Sequence, residues 1–539
     1  MPLPWARECP PTTWDSVSLD RPFSNFDYIG RHFPCVWPLR RVFSQVRAHG
    51  ARSMVVECLD AAQARDLSEE NEDIQKRFTK PVESRVCRLS FFETPLPNKQ
   101  ALRKVQDEDF LGYAIVKQDS VADVVSVSRI YESVVAPSRR DNNFVRGLQQ
   151  RASRVADRSF DISGYLYTQQ NGWTNCCAHV ACRTVAARFH PNHDMTYREM
   201  NDLPGVDINH TSKTAEKGLS KDTMVKILES AGARCIVADY RKPRPGFDPP
   251  PFQKYLYGSV ESGYPAILFF RTLMGSSPPY HAIPVFGHTF NEDMWVPIAE
   301  WSYFVVGAGT RYVPSEQWLS TFVAHDDNLG SNYCIPRHFL HAKRLCDNWP
   351  GGSRPCQTES DCVAYVIATL PKNVKVNPID AEVIGADYLF RIRKEVASSN
   401  AWWSRLEDYA GQNKLVLRPF LLTALEYAQH LGSMSDWDHG TIPENLRAWV
   451  EQFSDRPLWM VELSVPELFS TNRRKVGEVL LFADRSPGTS RDFRNFLLAR
   501  IPGYFVFFTG GDFNTPEFSL VPSPVRGHVS LFGCQDETP

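Results

Sequence analysis

The chain has 539 residues, of which 42% are hydrophobic and 23% charged, and its formal net charge is −2. This composition excludes a disordered chain, and the small net charge provides no overall attraction for nucleic acid or anionic membranes. The length predicts two to four domains, each with its own core, and we expect three.

The sequence predicts a soluble protein of a reducing compartment. It begins with MPLPWARECPPTTWD, which lacks the apolar core of a signal peptide, and no uninterrupted 18-residue apolar segment occurs. The 13 cysteines favour free thiols over a disulfide framework, because their number is odd and nothing indicates secretion. We therefore expect a cytoplasmic protein that binds no membrane.

Metal sites are not indicated by the spacing of cysteine and histidine. Cys334, Cys346, Cys356 and Cys362 lie close together in the sequence but lack the short paired spacing of structural zinc sites. The histidines of HPNHD (190–194) are better explained by a polar turn after a helix. We expect no metal and no other cofactor.

Residues 1–158 are predicted to form an α/β domain of unknown role. Its strands are predicted in SMVVECL (53–59), SRVCRLSFF (84–92) and FLGYAIVK (110–117). Arginines are concentrated near the end of this region, at positions 139, 140, 146, 151, 154 and 158. We interpret them as a solvated helix face, so nucleic acid is not an expected partner.

The central region opens with the strand-like FDISGYLYT (160–168), and a helix is predicted to begin at the double cysteine of QQNGWTNCCAHVACRTV (169–185). Apolar residues recur at helical spacing after Cys177, and Thr174 or Asn175 can cap the helix start. In the first helical turn, the helix dipole and the free backbone amides favour a thiolate over a thiol. Cys177 is therefore a candidate nucleophile, and an inert buried cysteine is the alternative.

Other residues of the central region could assist this nucleophile. Gln169 or Gln170 could supply an amide donor to a developing oxyanion. His281, at the start of a strand-like segment, could take the thiol proton, whereas His288 is expected on the opposite strand face. His179 is expected on the surface of the predicted helix.

A third group must orient the imidazole, and the strand-like WLSTFVAHDDNLG (318–330) offers Asp326, Asp327 and Asn328 for this role. Neighbouring residues of a strand point to opposite faces, so only one of the two acids should face His281. We expect Asp326 to be that residue.

The C-terminal region follows a predicted linker, DNWPGGSRP (347–355), and is expected to form an α/β domain over residues 346–539 that could bind substrate or a partner. A helix is predicted in ENLRAWVEQF (444–453). The predicted strands are VAYVIATL (363–370), LWMVELSV (458–465), VGEVLLFA (476–483) and YFVFF (504–508). Glu462 and Glu478 could be paired acids, but alternation in half-exposed strands is the favoured explanation.

The order Gln, Cys, His, Asp resembles the papain-like cysteine peptidases, most closely the branch that contains the bacteriocin-leader-processing (double-glycine leader) peptidases. Segments GLSKDTMVKILESAG (218–232), ESGYPAILFF (261–270) and HAIPVFGH (281–288) are similar to a helix, a turn with a strand, and the histidine strand of that branch. The resemblance covers about residues 159–345. It implies an α+β protein in which a helix bearing the cysteine packs on an antiparallel sheet bearing His and Asp, between two α/β domains.

The sequence also departs from the papain pattern. Papain-type enzymes commonly have Cys-Trp at the nucleophile and Asn as the orienting residue, whereas Ala178 follows Cys177 here and the orienting residue is acidic. The usual interval from Gln to Cys is six residues, as from Gln170 to Cys176. The small and apolar residues after Cys177 nevertheless favour Cys177 over Cys176.

The resemblance implies a bacterial cysteine peptidase or isopeptidase that acts on a protein or peptide substrate. Its catalytic residues would be Cys177 as nucleophile, His281 as proton carrier, Asp326 as orienting residue and Gln170 as oxyanion donor. The alternatives are an acyltransferase of the same fold, similar to transglutaminases, and a degenerate papain-like protein that serves as a binding module or scaffold. The sequence does not indicate an oligomeric state.

Overall fold

A computed structural model shows a mixed α+β protein built on three large sheets, which confirms the predicted α+β class. The structure describes residues 3–21, 23–121, 125–137, 143–190, 194–204, 206, 218–241, 250–271, 280–291, 302, 304–307, 309–337, 363–396, 401–434, 442–472, 474–487, 492–512, 514–523 and 528–529.

The N-terminal sheet is antiparallel, in the order β1-β2-β3-β4-β5. Its strands are β1 (Asp15–Ser18), β2 (Ser53–Leu59), β3 (Val82–Phe92), β4 (Phe110–Val121) and β5 (Val125–Val135). The helices of this region are α1 (Ser24–His32), α2 (Trp37–Ala48), α3 (Arg65–Gln75) and α4 (Lys99–Leu102). The three strands predicted in this region are confirmed.

Both faces of the N-terminal sheet are buried, because its strands alternate two sets of apolar side chains. In β4, Tyr113 and Ile115 belong to the core on the α3 side, whereas Ala114 belongs to the core under α1 and α2. Lys117 of the same strand lies 2.7 Å from Oε2 of Glu70 on α3. Glu70 matters below because it also binds the loop that precedes the double cysteine.

The arginine-rich segment forms a hairpin instead of the predicted helix face. After β6 (Asn143–Phe144), it comprises β7 (Gln149–Val155) and β8 (Arg158–Gly164). Arg151 is buried and its guanidinium lies 2.5 Å from the carboxylate of Asp194. The predicted solvated helix face is therefore wrong, because the charge of Arg151 is paired with a buried carboxylate and is not exposed to solvent. Positions 139 and 140 lie outside the described residues.

The central sheet has the order β14-β13-β11-β10-β15-β9, and β6 pairs with β11. Its helices are α5 (Cys177–Ala186), α6 (Tyr197–Asn201), α7 (Lys221–Ser230) and α8 (Phe252–Glu261). The strands that follow β8 are β9 (Ala233–Asp239), β10 (Ala266–Arg271), β11 (Tyr280–Phe290), β12 (Val313–Pro314), β13 (Leu319–Asp326), β14 (Gly330–Pro336) and β15 (Val363–Pro371). Helices α5 and α7 share a core with one face of the sheet, and α8 shares a core with the other.

Strand pairing crosses the predicted boundary between residues 345 and 346. β15 follows the predicted linker in sequence, yet it lies between β10 and β9 and pairs antiparallel with both. Conversely, β12 pairs in parallel with residues 416–417, beyond the boundary. The strand sequence VAYVIATL is apolar apart from Thr369 and is buried throughout, which an inner position in a covered sheet explains. The linker segment 347–355 lies outside the described residues.

The C-terminal sheet has the order β12-β16-β17-β19-β20-β21-β22 and is antiparallel apart from the β12–β16 pair. The remaining strands are β16 (Val416–Thr423), β17 (Pro457–Ser464), β18 (Arg474–Lys475), β19 (Gly477–Phe482), β20 (Phe496–Ile501), β21 (Tyr504–Gly511), β22 (Pro516–Pro522) and β23 (His528–Val529). The remaining helices are α9 (Pro378–Val396), α10 (Ala401–Gly411), α11 (Ala424–Ser433), α12 (Glu444–Glu451) and α13 (Pro466–Asn472). Because both flanking sheets are antiparallel, the predicted α/β class of the flanking regions is wrong. No helix in the described ranges is long and apolar enough to cross a bilayer.

Glu462 and Glu478 face each other across β17 and β19 and are both buried, so they are not the half-exposed residues that we expected. Lys475 lies within 3.4 Å of both carboxylates, and Arg500 binds Glu478 at 2.7 Å. A buried carboxylate needs such partners, and these cations give the pair a structural role in the C-terminal sheet.

Candidate functional site

The loop before the double cysteine is held by its own asparagines. Oδ1 of Asn171 accepts hydrogen bonds from the backbone N–H groups of Trp173, Thr174 and Asn175, at 2.8, 2.8 and 3.2 Å. Nδ2 of Asn171 donates to Oε1 of the buried Glu70, at 3.0 Å. Short polar side chains that bond to nearby backbone groups stabilise tight turns, so these contacts fix the path of the chain into α5.

Helix α5 begins at Cys177, as the sequence predicts, but its N-cap residue is Cys176. The predicted caps, Thr174 and Asn175, stabilise the preceding loop instead: Oδ1 of Asn175 accepts from the backbone N–H of Asn171 at 2.7 Å. The N-cap position places the Cys176 side chain beside backbone amides of the first turn, which have no partner within the helix.

The side chains of Cys176, His179 and Asn201 form a hydrogen-bonded group that was not predicted from the sequence. Sγ of Cys176 lies 3.2 Å from Nδ1 of His179, and Nε2 of His179 lies 2.9 Å from Oδ1 of Asn201. The amide oxygen can only accept, so Nε2 carries a proton and Nδ1 faces the sulfur. The expectation that His179 lies on the helix surface is wrong, since only 3% of it is exposed. His179 is the third helical residue after the N-cap residue Cys176, and side chains at these two positions commonly contact each other. This spacing could have predicted the contact from the sequence.

The two thiols differ in pKa in the opposite sense from the prediction. Two contacts lower the pKa of Cys176, first the polar contact with the Cys177 thiol and then the contact with His179. Burial raises the pKa of Cys176 by less, so the net pKa lies well below its usual range. For Cys177, the contact between the two thiols, burial and the charges of Cys176 and Asp327 raise the pKa well above its usual range. These shifts favour Cys176 as the thiol that ionises first, and the assignment of Cys177 as the low-pKa thiol stays a prediction.

Burial and charge also act on His179. Burial lowers its pKa, but the Cys176 thiolate and the amide oxygen of Asn201 raise it by more, so the net pKa lies above its ordinary value. Cys176 and His179 thus stabilise each other's charged forms, which is the condition for a thiolate–imidazolium pair.

His281, at the start of β11, approaches both acids that end β13. Its Nε2 lies 3.3 Å from Oδ2 of Asp326 and 3.4 Å from Oδ1 of Asp327, and all three residues are buried. The pairing of β13 with β14 shifts in register between Ala324 and Asp326. Such an irregularity interrupts the alternation of side chains, so both carboxylates turn towards the same imidazole. The expectation that one acid faces away is wrong, while the choice of Asp326 as the orienting residue stays a prediction.

The two carboxylates have different environments. Oδ1 of Asp326 accepts from the backbone N–H groups of Asn328 and Leu329, at 2.8 and 3.1 Å. Burial raises the pKa of Asp326, but His281 and these N–H groups lower it by more. Burial raises the pKa of Asp327 to about 7; His281 opposes this shift and the Asp326 charge adds to it. Burial also lowers the pKa of His281, but the two acids raise it above its ordinary value.

Gln169, rather than Gln170, connects the loop to the acidic segment. Nε2 of Gln169 donates to the backbone carbonyl of Asp327 at 2.8 Å, and its Oε1 accepts from the backbone N–H of Ile130 in β5. Gln170 is partly exposed, and within the described ranges no hydrogen bond of its side chain is found. Gln169 is therefore a scaffold residue, and the assignment of Gln170 as oxyanion donor stays a prediction.

The thiols and the His281 cluster are neighbours. Helix α5 packs against β11, and the backbone N–H of Ala282 contacts the Cys177 sulfur and lowers its pKa. The charge of Cys176 contributes to the raised pKa of Asp327. In the part of the chain that the structure describes, no hydrogen bond joins His281 to either thiol. The role of His281 as acceptor of the Cys177 proton stays a prediction.

Two other histidines near the site have structural partners. Nε2 of His288 lies 2.6 Å from the carboxylate of Glu261 on α8, away from the acids of the site. Nε2 of His325 lies 3.2 Å from the backbone carbonyl of Tyr165, and burial lowers its pKa to about 3. Neither imidazole adds to the candidate site.

Comparisons with known proteins identify no relative. No family model matches the sequence, and neither a curated protein nor a solved structure matches the chain. The resemblance to the papain-like peptidases therefore stays a prediction, and a functional assignment has to rest on the site itself.

Proposed function

We propose that the protein is a cysteine-dependent hydrolase of amide bonds, a peptidase or isopeptidase, in which Cys176 rather than Cys177 is the nucleophile. The observation that carries this proposal is the 3.2 Å contact of Cys176 Sγ with Nδ1 of His179, whose Nε2 is bound by Asn201 at 2.9 Å. A thiol within hydrogen-bond reach of an imidazole that a third group orients is the arrangement that activates cysteine near neutral pH.

In the proposed reaction, the Cys176 thiolate attacks the amide carbonyl carbon and forms an S–C bond. The C–N bond then breaks as the leaving amine takes a proton, and a thioester remains on the enzyme. Water hydrolyses the thioester, returning one proton to the imidazole and releasing the acid. His179 stabilises the thiolate before attack, with the pKa shifts of both groups in the required directions.

His281 is the proposed donor of the proton to the leaving amine. The Asp326 and Asp327 carboxylates raise its pKa, which favours the protonated imidazole near neutral pH. The Ala282 N–H beside the Cys177 sulfur supports this role, because it brings the start of β11 next to the double cysteine. Asp326, which keeps its charge, would stabilise the imidazolium.

Gln170 is the proposed oxyanion donor. It precedes Cys176 by six residues, the interval of the papain-like enzymes that the sequence resembles, and its side chain is partly exposed. Removal of one donor from an oxyanion site typically costs about 3 kcal/mol of transition-state stabilisation. Gln170→Ala should therefore slow turnover by about two orders of magnitude.

The decisive experiment compares Cys176→Ser with Cys177→Ser in the full chain, since the two variants make the same change at adjacent positions. Each is incubated with a library of peptides and lysine-linked isopeptides, and mass spectrometry detects products and acyl adducts. Wild type and Cys177→Ser should cleave, with the adduct on Cys176, and Cys176→Ser should not.

If only the Cys177→Ser variant lost cleavage, Cys177 and not Cys176 would be the nucleophile. A wild-type chain that forms neither product nor adduct would contradict the hydrolase itself. Transfer of the acyl group to added amines in preference to water would identify an acyltransferase.

A further inference from the structure

We propose that His281, Asp326 and Asp327 bind one divalent transition-metal ion, and that this ion inhibits the hydrolase. The cluster offers one imidazole nitrogen and one oxygen from each carboxylate, and these atoms all lie within 4.8 Å of one another. This set of donors suits Mn²⁺, Co²⁺ or Zn²⁺. The inhibition rests on the proposed function, whereas the binding of the ion does not.

The spacing of the donor atoms fits a shared ion. Nε2 of His281 lies 3.3 Å from Oδ2 of Asp326 and 3.4 Å from Oδ1 of Asp327. Two atoms that are each about 2.1 Å from a metal ion and 3.3 Å apart subtend roughly 100° at the ion, near the tetrahedral angle. These two distances allow one ion to reach Nε2 together with either carboxylate oxygen.

Oδ2 of Asp327 is buried and has no hydrogen-bond partner in the described part of the chain, and Nε2 of His281 makes no hydrogen bond of good geometry, although two carboxylate oxygens lie 3.3 and 3.4 Å from it. The two residues are 8% and 5% exposed, so bulk water cannot readily compensate. Native proteins satisfy most buried polar atoms, and each exception calls for an explanation. A cation between the imidazole and the carboxylates would satisfy both atoms at once.

The carboxylates are already oriented for such an ion. The backbone N–H groups of Asn328 and Leu329 occupy Oδ1 of Asp326, and Oδ2 faces His281. Gln169 donates to the backbone carbonyl of Asp327 and holds its main chain, and Nδ2 of Asn328 donates to Oδ1 of Asp327 at 3.3 Å. Hydrogen bonds in the outer shell commonly hold metal ligands in this way.

The ion and the catalytic proton would compete for the same atom. A bound ion uses the lone pair of Nε2, so His281 can no longer carry a proton to the leaving amine. Metal should therefore inhibit hydrolysis, and a chelator should restore it.

The test uses Co²⁺ alone as the probe, because thiolate ligands produce strong charge-transfer absorption in the near ultraviolet and nitrogen and oxygen ligands do not. Calorimetry and absorption spectroscopy follow the titration of the chelator-treated full chain. We expect one ion per chain without the thiolate band. Asp327→Asn and His281→Gln should each weaken binding at least about tenfold, whereas the Cys176→Ser/Cys177→Ser double variant should bind like wild type.

Unchanged binding in both ligand variants, or a thiolate band in wild type that the double cysteine variant loses, would overturn the site. The wild-type spectrum and circular dichroism of each variant guard against a folding defect. Hydrolysis that persists at saturating Co²⁺ would overturn the inhibition. A chain that binds Co²⁺ but hydrolyses nothing after chelation would contradict the proposed function and leave the metal site intact.

Discussion

At the scale of single residues, position rather than residue type separates the two adjacent cysteines. Neighbouring residues at a helix start point about 100° apart, so the two sulfurs have different neighbours. Cys176 is the N-cap residue and contacts His179, whereas Cys177 lies one residue later, beside the Ala282 N–H. The imidazole therefore stabilises a charge on the first sulfur, while the second keeps its proton.

His179→Gln should raise the pH at which iodoacetamide alkylates Cys176. Glutamine fills similar space but carries no charge, so the variant loses the imidazolium that lowers the pKa of the thiol. At about pH 6, alkylation should slow by about tenfold or more, which corresponds to a shift of about one pKa unit. Peptide mapping by mass spectrometry measures the rate at each cysteine.

His281→Gln is the matched control for that experiment. It should leave the pH dependence of Cys176 alkylation unchanged but lower turnover by about 10²- to 10⁴-fold, as expected for the loss of a general acid. Identical alkylation profiles in wild type and His179→Gln would show that His179 does not stabilise the thiolate.

Asp327→Asn should stabilise the metal-free protein increasingly as pH rises from about 4 to about 7. The folded protein raises the pKa of Asp327 from 3.8 to about 7, so it favours the protonated acid. Protonated Asp327 therefore contributes to the free energy of unfolding. This contribution is fully present below the unfolded pKa of the residue and is lost as pH rises towards 7. Because Asn cannot ionise, its advantage should grow over this range to at most about 4 kcal/mol.

Urea denaturation at about pH 4 and pH 8 measures this difference. Asp326→Asn is a control for which the opposite effect is expected, because folding lowers the pKa of Asp326. The charged carboxylate of Asp326 therefore stabilises the folded protein above the unfolded pKa, and this stabilisation is lost as pH falls. Asp326→Asn should therefore destabilise the protein at pH 8. A lower stability of Asp327→Asn than of wild type at pH 8 would contradict the assigned environment.

The sequence was sufficient to single out His281 and the two acids, because their residue types and chain order resemble those of the papain-like peptidases, and the structure brings the three side chains together. It was insufficient for His179, since a histidine early in a helix is usually solvated and its partner Asn201 is distant in sequence. It also failed to show that both acids face one imidazole, because the register shift at the end of β13 depends on pairing with β14.

At the scale of helices and strands, local pattern predicted the elements but not their partners. The short, largely apolar segment FLGYAIVK and the helical spacing after Cys177 correctly predicted β4 and α5. The segment VAYVIATL was correctly predicted to be a strand, and the structure buries it on both faces. Nothing in that segment specifies which sheet it enters, because strand order depends on long-range pairing. β15 therefore belongs to the central sheet, although it follows the predicted linker.

The arginine-rich hairpin illustrates the opposite error. Arginines at 151, 154 and 158 have a spacing that suits one helix face, and a solvated helix was the simplest interpretation. The buried Asp194, more than 40 residues away in sequence, pairs with Arg151 and favours a strand instead. A tertiary ion pair outweighed the local preference, which is weak.

At the scale of the whole molecule, the candidate site depends on segments from well outside the central region. Glu70 of α3 binds the loop before the double cysteine, and Ile130 of β5 binds Gln169. Arg418 of β16 binds Glu261 of α8, which also contacts His288. The Arg418–Glu261 pair is buried, and removal of one member of a buried charged pair is strongly destabilising.

Residues 159–345 alone should therefore fail to fold cooperatively, in contrast to the domain division that the sequence suggests. The fragment lacks β15, so β10 and β9 would both expose unpaired edges. It also loses the Ala364 and Ile367 side chains from the core under α5. Near-ultraviolet circular dichroism and thermal unfolding should show no fixed tertiary structure.

A second fragment, residues 1–375, is the matched control because it restores β15 and the N-terminal partners of the loop. It should recover more near-ultraviolet signal than 159–345 and should resist proteolysis longer, since the central sheet is again continuous from β14 to β9. If 159–345 instead unfolds in one cooperative transition and alkylates at Cys176 near neutral pH, the central region is autonomous and β15 is dispensable for the site. Equal disorder in both fragments would show that the β12–β16 pair and the Arg418–Glu261 contact are needed as well.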